Sequence, residues 1–143
     1  MRSLDNHLCF ALYAASRAMT AGYRGPLSEL GLTYPQFIAM VVLWEADGVT
    51  VSELGERLQL DSGTLTPLLK RLEQAKLVAR QRNADDEREL IVTLTDEGHA
   101  LQHKANDISE QVFCRTGLEE SHAIQMLGDL HDLTARLRNT PSI

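Results

Sequence analysis

One stretch constrains the fold more than any other: TVSELGERLQLDSGTLTPLLKRLEQAKL (50–77), followed at once by VARQR (78–82) and ELIVTL (89–94). Its first part reads as two short helices in close succession. Thr50 and Glu53 have the spacing of a capping box, and Gln59 to Asp61 form the turn. Leu54, Leu58, Leu65, Leu68, Leu69 and Leu72 supply facing apolar positions, with Gly55 small where the helices would cross. This is the pattern of a helix-turn-helix. Pro67 leaves the start of the second helix open. If Asp61 is the N-cap, Pro67 removes an intrahelical bond; if Thr64 is, Pro67 falls in the first turn. The two β-rich runs, joined by the polar tip NADDER, read as a hairpin. A helix-turn-helix followed directly by a hairpin is a winged helix, with the hairpin as the wing.

The flanks read as helices. Residues 3–23 carry Leu4, Leu8, Ala11, Leu12, Ala15 and Met19 at helical spacing, with Ser3 as N-cap and Tyr23, Gly25 and Pro26 as the break. LTYPQFIAMVVLWE opens a second helix at a Thr33–Gln36 capping box, with Leu32 and Phe37 as a hydrophobic staple and Pro35 in the first turn. Asp47-Gly48 ends it. From Thr95 onward two more helices are expected. One ends near Gly117, and the other starts at a Thr116–Glu119 capping box and runs to about Arg138. The stripes Ala105, Ile108, Val112 and Ile124, Leu127, Leu130, Leu137 are incomplete cores by themselves, which suggests a homodimer built from both chain ends. The expected fold is mostly α with a small β-wing. A winged helix-turn-helix lobe spans 33–95, and dimerisation helices span 1–32 and 96–143.

Composition sets the boundaries. The chain has 143 residues, 43% of them apolar and 24% charged, which suits one soluble globular domain. Its longest apolar run, Phe37 to Trp44, is far too short to cross a bilayer, and no secretory signal is visible. Cys9 and Cys114 lie too far apart in sequence for a zinc motif or a disulfide framework. A cytoplasmic, reduced protein without metal or cofactor is expected. His99 and His103 are spaced i, i+4 but have no third ligand, and read as surface residues. Net charge is −6, which argues against nonspecific coating of nucleic acid. A local basic patch is enough for specific binding, and Lys70, Arg71, Lys76, Arg80 and Arg82 stand against only Glu73 in residues 70–82.

A recognition helix needs short hydrogen-bonding side chains at its N-terminal end and cations farther along. Ser62, Thr64 and Thr66 meet the first need, Lys70 and Arg71 the second, and Arg82 adds a cation at the base of the wing. At the wing tip Arg88 suits the minor groove's negative potential, and Asp86 stands where it can hold the guanidinium. Double-stranded operator DNA, an AT-rich palindrome, is the expected partner.

The segments DSGTLTPLLKRLE and DERELIVTLTDEG resemble the MarR family of dimeric bacterial repressors over essentially the whole chain. Within it, LDNHLCFALY, LTYPQF and LDSGTLTPLLKRLE look like the organic hydroperoxide resistance regulators. The resemblance implies a peroxide-sensing cysteine in the first helix, matched here by Cys9, and two tyrosines that bond to it, matched by Tyr23 and Tyr34. It also implies the two-cysteine branch. There the oxidised thiol condenses with a resolving cysteine of the partner subunit, and VFC at Cys114 looks like that position. The implied inducer is an organic hydroperoxide.

Local chemistry gives Cys9 little reason to react. With Ser3 as N-cap it lies beyond the first helical turn, where the dipole fades, and no Lys or Arg stands three or four residues away. Donors from elsewhere must hold the anion, and tyrosine hydroxyls suit that role. Fourteen residues separate Cys9 from Tyr23, about 21 Å along a straight helix. Contact then requires a bend, or a tyrosine reaching the partner's cysteine; the second needs no distortion. Two other readings compete. One is the same repressor released by a small phenolic or aromatic ligand; the other is a thiol peroxidase, for which no CxxC or reductase-docking feature is present.

Overall fold

In the computed structural model, which describes residues 3–141, a 3₁₀ turn (Leu4–Asn6) leads into α1 (Leu8–Glu29) and α2 (Tyr34–Glu45). The short strand β1 (Val49–Thr50), α3 (Val51–Leu58), α4 (Ser62–Gln74) and the hairpin β2 (Val78–Arg82) and β3 (Leu90–Leu94) follow. Helices α5 (Asp96–Ala100), α6 (Gln102–Arg115) and α7 (Glu120–Asn139) complete the chain. Its contacts form two units, one through Ser109 and one from Glu110 onward. Residues 1–2 and 142–143 of the expected flanking segments lie outside the described residues.

In the first unit, two capping boxes set the entries to α2 and α3. Thr33 and Gln36 exchange both bonds, as do Thr50 and Glu53, so each helix starts with its orphan N–H groups paired. Leu32 and Phe37, the staple residues, are both buried. Helix α3 ends on Gln59 in the left-handed region, and Leu60 N–H closes back on the Gly55 carbonyl. Gly55 lies at the crossing. A Cβ there would sit 3.2 Å from Leu60 O and from Leu65 Cδ2. Leu54, Leu65, Leu69, Leu72 and Val92 are fully buried, as are Leu27, Met40 and Leu43 from α1 and α2. Each such burial contributes about 1.5–3 kcal/mol.

The ambiguity at Pro67 is resolved in favour of Asp61. Its Oδ1 accepts the Thr64 N–H at 2.8 Å, α4 starts at Ser62, and Pro67 lies inside the helix. The backbone hydrogen bond from Thr64 holds the Asp61 carboxyl below its ordinary range. A carboxyl lowered on folding stabilises the fold above its unfolded value, and that contribution disappears as pH falls through the folded value. Asp61→Asn keeps a capping oxygen and loses the titration. Denaturant midpoints for Asp61→Asn are therefore expected to decline less on acidification than wild type, and an identical decline would count against this cap.

The hairpin supplies two strands of a three-stranded antiparallel sheet of order β1-β3-β2, with β3 at its centre. Val78 pairs with Leu94 and Arg82 with Leu90, while Val49 pairs with Val92. The two-residue strand β1 was not expected from sequence. It is too short to carry a period, and its pairing is set by Asp47, whose Oδ1 accepts the Leu94 N–H at 2.8 Å. Helix α5 was also unexpected as a separate element, so three helices rather than two follow Thr95. Thr95 caps α5, accepting from Gly98 N–H. Gly98 is buried where a Cβ would overlap the Leu77 carbonyl, and its own carbonyl accepts Trp44 Nε1–H at 3.0 Å.

Two further expectations fail. The first helix does not run from 3 to 23 with a break at Tyr23, Gly25 and Pro26. It starts at Leu8, with His7 rather than Ser3 as N-cap, and continues through Pro26 to Glu29. Its true end is a Schellman motif at Gly31 (φ 73°): Leu32 N–H bonds to the Leu27 carbonyl and Gly31 N–H to that of Ser28. Leu27 and Leu32, the apolar pair that accompanies such motifs, are both buried. That packing holds the helix past a proline that removes one bond. In the second unit, the Thr116–Glu119 box does not form. Thr116 Oγ1 donates to the Phe113 carbonyl and accepts from Leu118 N–H, and Glu119 is the N-cap of α7 without a side-chain bond.

Candidate nucleic-acid interface and thiol site

Helix α4 divides its faces cleanly. Leu65, Leu68, Leu69 and Leu72 point into the core, while Ser62, Thr64, Thr66, Lys70 and Arg71 are exposed. Burial of the leucine face therefore sets which side chains face outward. The basic run is less uniform than its sequence suggests. Arg80 forms an ion pair with Glu73 through Nε and Nη2 at 3.3 and 3.1 Å, and that side-chain bond keeps the Glu73 carboxyl low. Arg82 Nη1 donates to the Glu87 carbonyl at 2.7 Å, tying the base of the wing to its tip. At the tip, Asp86 accepts the Arg88 backbone N–H and Nε at 3.1 Å and Nη2 at 3.2 Å. The Arg88 guanidinium beside it holds the Asp86 carboxyl below its ordinary range. Arg88 stays 90% exposed, a cation oriented by its neighbour and open to solvent.

The thiol site has its parts on α1 and α2. Because α1 starts at Leu8, Cys9 lies in its first turn, contrary to the reading that placed it beyond. The N–H groups of Leu8, Cys9 and Phe10 precede the first helical bond, which Ala11 makes to the His7 carbonyl. Such a terminus favours negative charge. Cys9 is exposed, and so is Cys114 on α6 of the second unit.

Tyr23 and Tyr34 are brought together, with ring centroids 5.0 Å apart, and Phe37 packs 5.4 Å from Tyr23 and 6.0 Å from Tyr34. Burial, then the neighbouring Tyr23, raises the Tyr34 phenol above its ordinary range, so it remains a proton donor. Cys9 does not join this cluster within one chain. Helix α1 is continuous, and fourteen residues of helix span about 21 Å.

Much of α1 is uncovered. Leu8, Phe10, Tyr13 and Met19 are exposed, and Leu27 is the one buried residue of the helix. In the second unit, Ile124, Met126, Leu127, Leu130 and Leu137 are likewise exposed. One more feature escaped the sequence reading. Thr20, Arg24 and Ser28, spaced i, i+4, i+8 on α1, line a groove of about 580 Å³ with Leu32, Thr33, Tyr34 and Pro35. Ending the helix at Tyr23 hid that stripe; the Leu27…Gly31-Leu32 pattern was the signal for the later end. Among the described residues no group of three His, Cys, Asp or Glu is placed to hold a metal ion. Among the described residues no single helix is long and apolar enough to cross a membrane.

A helix-turn-helix with hydroxyls on the outer face of its second helix, followed by an arginine-tipped wing, defines a winged-helix transcriptional regulator. The family of SarA/Rot transcriptional regulators matches residues 24–108. An organic hydroperoxide resistance transcriptional regulator of Bacillus subtilis is 52% identical over 73% of this chain and 71% of its own length. Reduced AbfR bound to DNA superposes with a TM-score of 0.79 at 36% identity, covering 94% of this chain and 93% of the other. Overoxidised AbfR bound to DNA gives 0.78 at 36% identity, with 94% of each chain covered. For disulfide-formed AbfR the score is 0.66 at 35% identity, covering 94% and 90%; AbfR is a protein of Staphylococcus epidermidis. The chain belongs to the MarR family of winged-helix transcriptional regulators, a group of DNA-binding proteins rather than enzymes.

Proposed function

We propose that the protein is a redox-sensing repressor that holds operator DNA as a homodimer when reduced and leaves it when an organic hydroperoxide oxidises Cys9. The observation that carries this is the position of Cys9, exposed in the first turn of α1, while the Tyr23–Tyr34 pair lies beyond its reach in the same chain. A second subunit completes the site. The apolar faces of α1 and α7 supply the surface that a dimer covers, with 1–32 and 96–143 as dimerisation segments and 33–95 as the DNA-binding lobe. On that lobe Ser62, Thr64 and Thr66 read base edges, and Lys70, Arg71 and Arg82 meet phosphates. Asp86 presents Arg88 to the minor groove.

In the oxidation, the Cys9 sulfur attacks the terminal oxygen of the hydroperoxide. The O–O bond breaks, the sulfur becomes a sulfenic acid and an alcohol leaves, its oxygen protonated from a tyrosine or water. Cys114 of the partner subunit then displaces hydroxide from that sulfur as water, leaving a disulfide. Bringing the two Cα atoms to within about 7 Å moves helices and with them the half-site spacing of the recognition helices.

AbfR supports the disulfide as the releasing event, since it has been seen on DNA both reduced and overoxidised. Cys114→Ser is therefore expected to be oxidised at Cys9 yet to remain on DNA, with no interchain dimer on a non-reducing gel. Release of Cys114→Ser from DNA at wild-type hydroperoxide concentrations would overturn the disulfide step. The groove beside Tyr34 favours a second reading, in which a small aromatic ligand bound there releases the repressor. Release by such a ligand from Cys9→Ser protein separates the two.

A further inference from the structure

The wing extends past the core that holds the recognition helix. Val78 and Val92 are the buried side chains of the hairpin strands, and every residue from Gln81 through Ile91 is at least partly open to solvent. The tip is braced from within. Asn83 bonds twice to Glu89, N–H to carbonyl at 2.9 Å and Nδ2 to Oε2 at 3.0 Å, and Glu89 N–H donates to the Asp86 carbonyl at 3.0 Å. Arg82 holds the Glu87 carbonyl and Asp86 holds Arg88, so the tip is a stiff unit. Among the described residues one side-chain link joins that hairpin to α4. It is the fork from Arg80 Nε and Nη2 to the two carboxylate oxygens of Glu73, at 3.3 and 3.1 Å. These side chains are 22% and 40% exposed, and a two-bond fork fixes orientation as well as distance. Glu73 is also the one anion in residues 70–82. Beside phosphates its charge opposes binding, so an effect through charge and an effect through position have opposite signs.

We propose that Glu73 and Arg80 are positioning residues for DNA binding, their ion pair setting the span between the recognition helix and the wing. With that span fixed, Arg88 meets the minor groove while α4 lies in the major groove, and neither Glu73 nor Arg80 touches DNA. The proposal rests on the reading of α4 and Arg88 as the DNA-contacting parts. A wing released from α4 would have to be ordered on binding, a cost that the preset span avoids.

Anisotropy titrations of the full-length reduced protein test this, on a palindromic duplex selected by wild type from a random pool and over a range of salt. Glu73→Gln and Arg80→Met, which keeps the apolar stem, are each expected to weaken binding about tenfold, two copies of the pair acting in one dimer. The salt dependence is expected to stay as in wild type. The double variant is expected to lose no more than either single, because the two residues act as one link. In an Arg88→Ala background, itself weaker, adding Glu73→Gln is expected to cost less than about twofold. Tighter binding by Glu73→Gln overturns the proposal, as does an equal loss with and without Arg88. A salt slope lowered by about one per contact in Arg80→Met would make Arg80 a phosphate ligand and also overturns it. Spin labels at the exposed positions Thr66 and Ala84, on Cys9→Ser/Cys114→Ser protein diluted with unlabelled chains, give a readout without DNA. The distance distribution between α4 and the wing is expected to broaden in Glu73→Gln, and an unchanged distribution counts against the link. Should Arg88→Ala bind as wild type does, the minor-groove reading falls, and the distance distribution alone decides whether the pair holds the wing.

Discussion

Cys9→Ser is expected to bind operator DNA as wild type does and to stay bound when organic hydroperoxide is added. A gel shift on palindromic DNA, titrated with cumene hydroperoxide, measures this directly. The serine hydroxyl is isosteric enough to leave α1 intact, and Cys9 is exposed, so no packing is lost with the sulfur. What disappears is the nucleophile: an alcohol without an adjacent base does not attack a peroxide at neutral pH. The hydroperoxide concentration needed for release is therefore expected to rise by about two orders of magnitude or more. Cys9→Ser protein released at the wild-type concentration would remove Cys9 from the mechanism, and the groove ligand would become the leading explanation.

Gly98→Ala is expected to produce the largest loss of stability among conservative substitutions in the first unit. The added methyl would overlap the Leu77 carbonyl and press on Leu94 Cδ2, and the first of these is backbone that cannot swing aside. Gly98 also holds Trp44 through its own carbonyl, so any shift of α5 to relieve the overlap strains that bond as well. Overpacking of this kind costs about 2–4 kcal/mol. For a chain of this size the thermal midpoint should fall by roughly 6–12 °C. Gly55→Ala provides the scale. Its methyl would meet Leu60 O and Leu65 Cδ2 at 3.2 Å, close enough to cost about 1 kcal/mol but with a leucine end that can yield. Thermal melts that rank Gly55→Ala below Gly98→Ala would contradict this account of the packing.

Local rules with strong chemistry were legible in the sequence. The capping boxes at Thr33–Gln36 and Thr50–Glu53 formed as spaced, because both partners lie within one turn and nothing competes for them. The helix-turn-helix and the wing followed from leucine spacing and β-rich runs. Thr116 shows the limit of the same rule. Its spacing to Glu119 satisfies the pattern, but Gly117 at φ 67° sends the chain into a turn that uses the hydroxyl. The end of α1 failed for a related reason. Gly25-Pro26 is a stronger local break than Gly31, yet burial of Leu27 and Leu32 outweighs it. Its start was misread because Asp5, Asn6 and His7, three polar residues ahead of the apolar run, mark a boundary as well as Ser3 does. That error had a chemical cost, since it moved Cys9 away from the helix terminus. Strand β1 exists only through its partner β3 and the Asp47 clamp, relations no local window contains.

Helix α1 buries a single side chain out of its 22 residues. A helix held so lightly by its own chain has little besides intrinsic propensity to keep its first turns wound. In an isolated subunit Cys9 would then sit on fraying backbone, with no fixed terminus behind it and no tyrosine before it. If Cys9 is the sensor proposed above and a partner's tyrosines complete its site, sensing is a property of concentration: the thiol becomes a detector only as subunits find one another. A cell that makes less of this protein would have fewer detectors than its count of chains suggests.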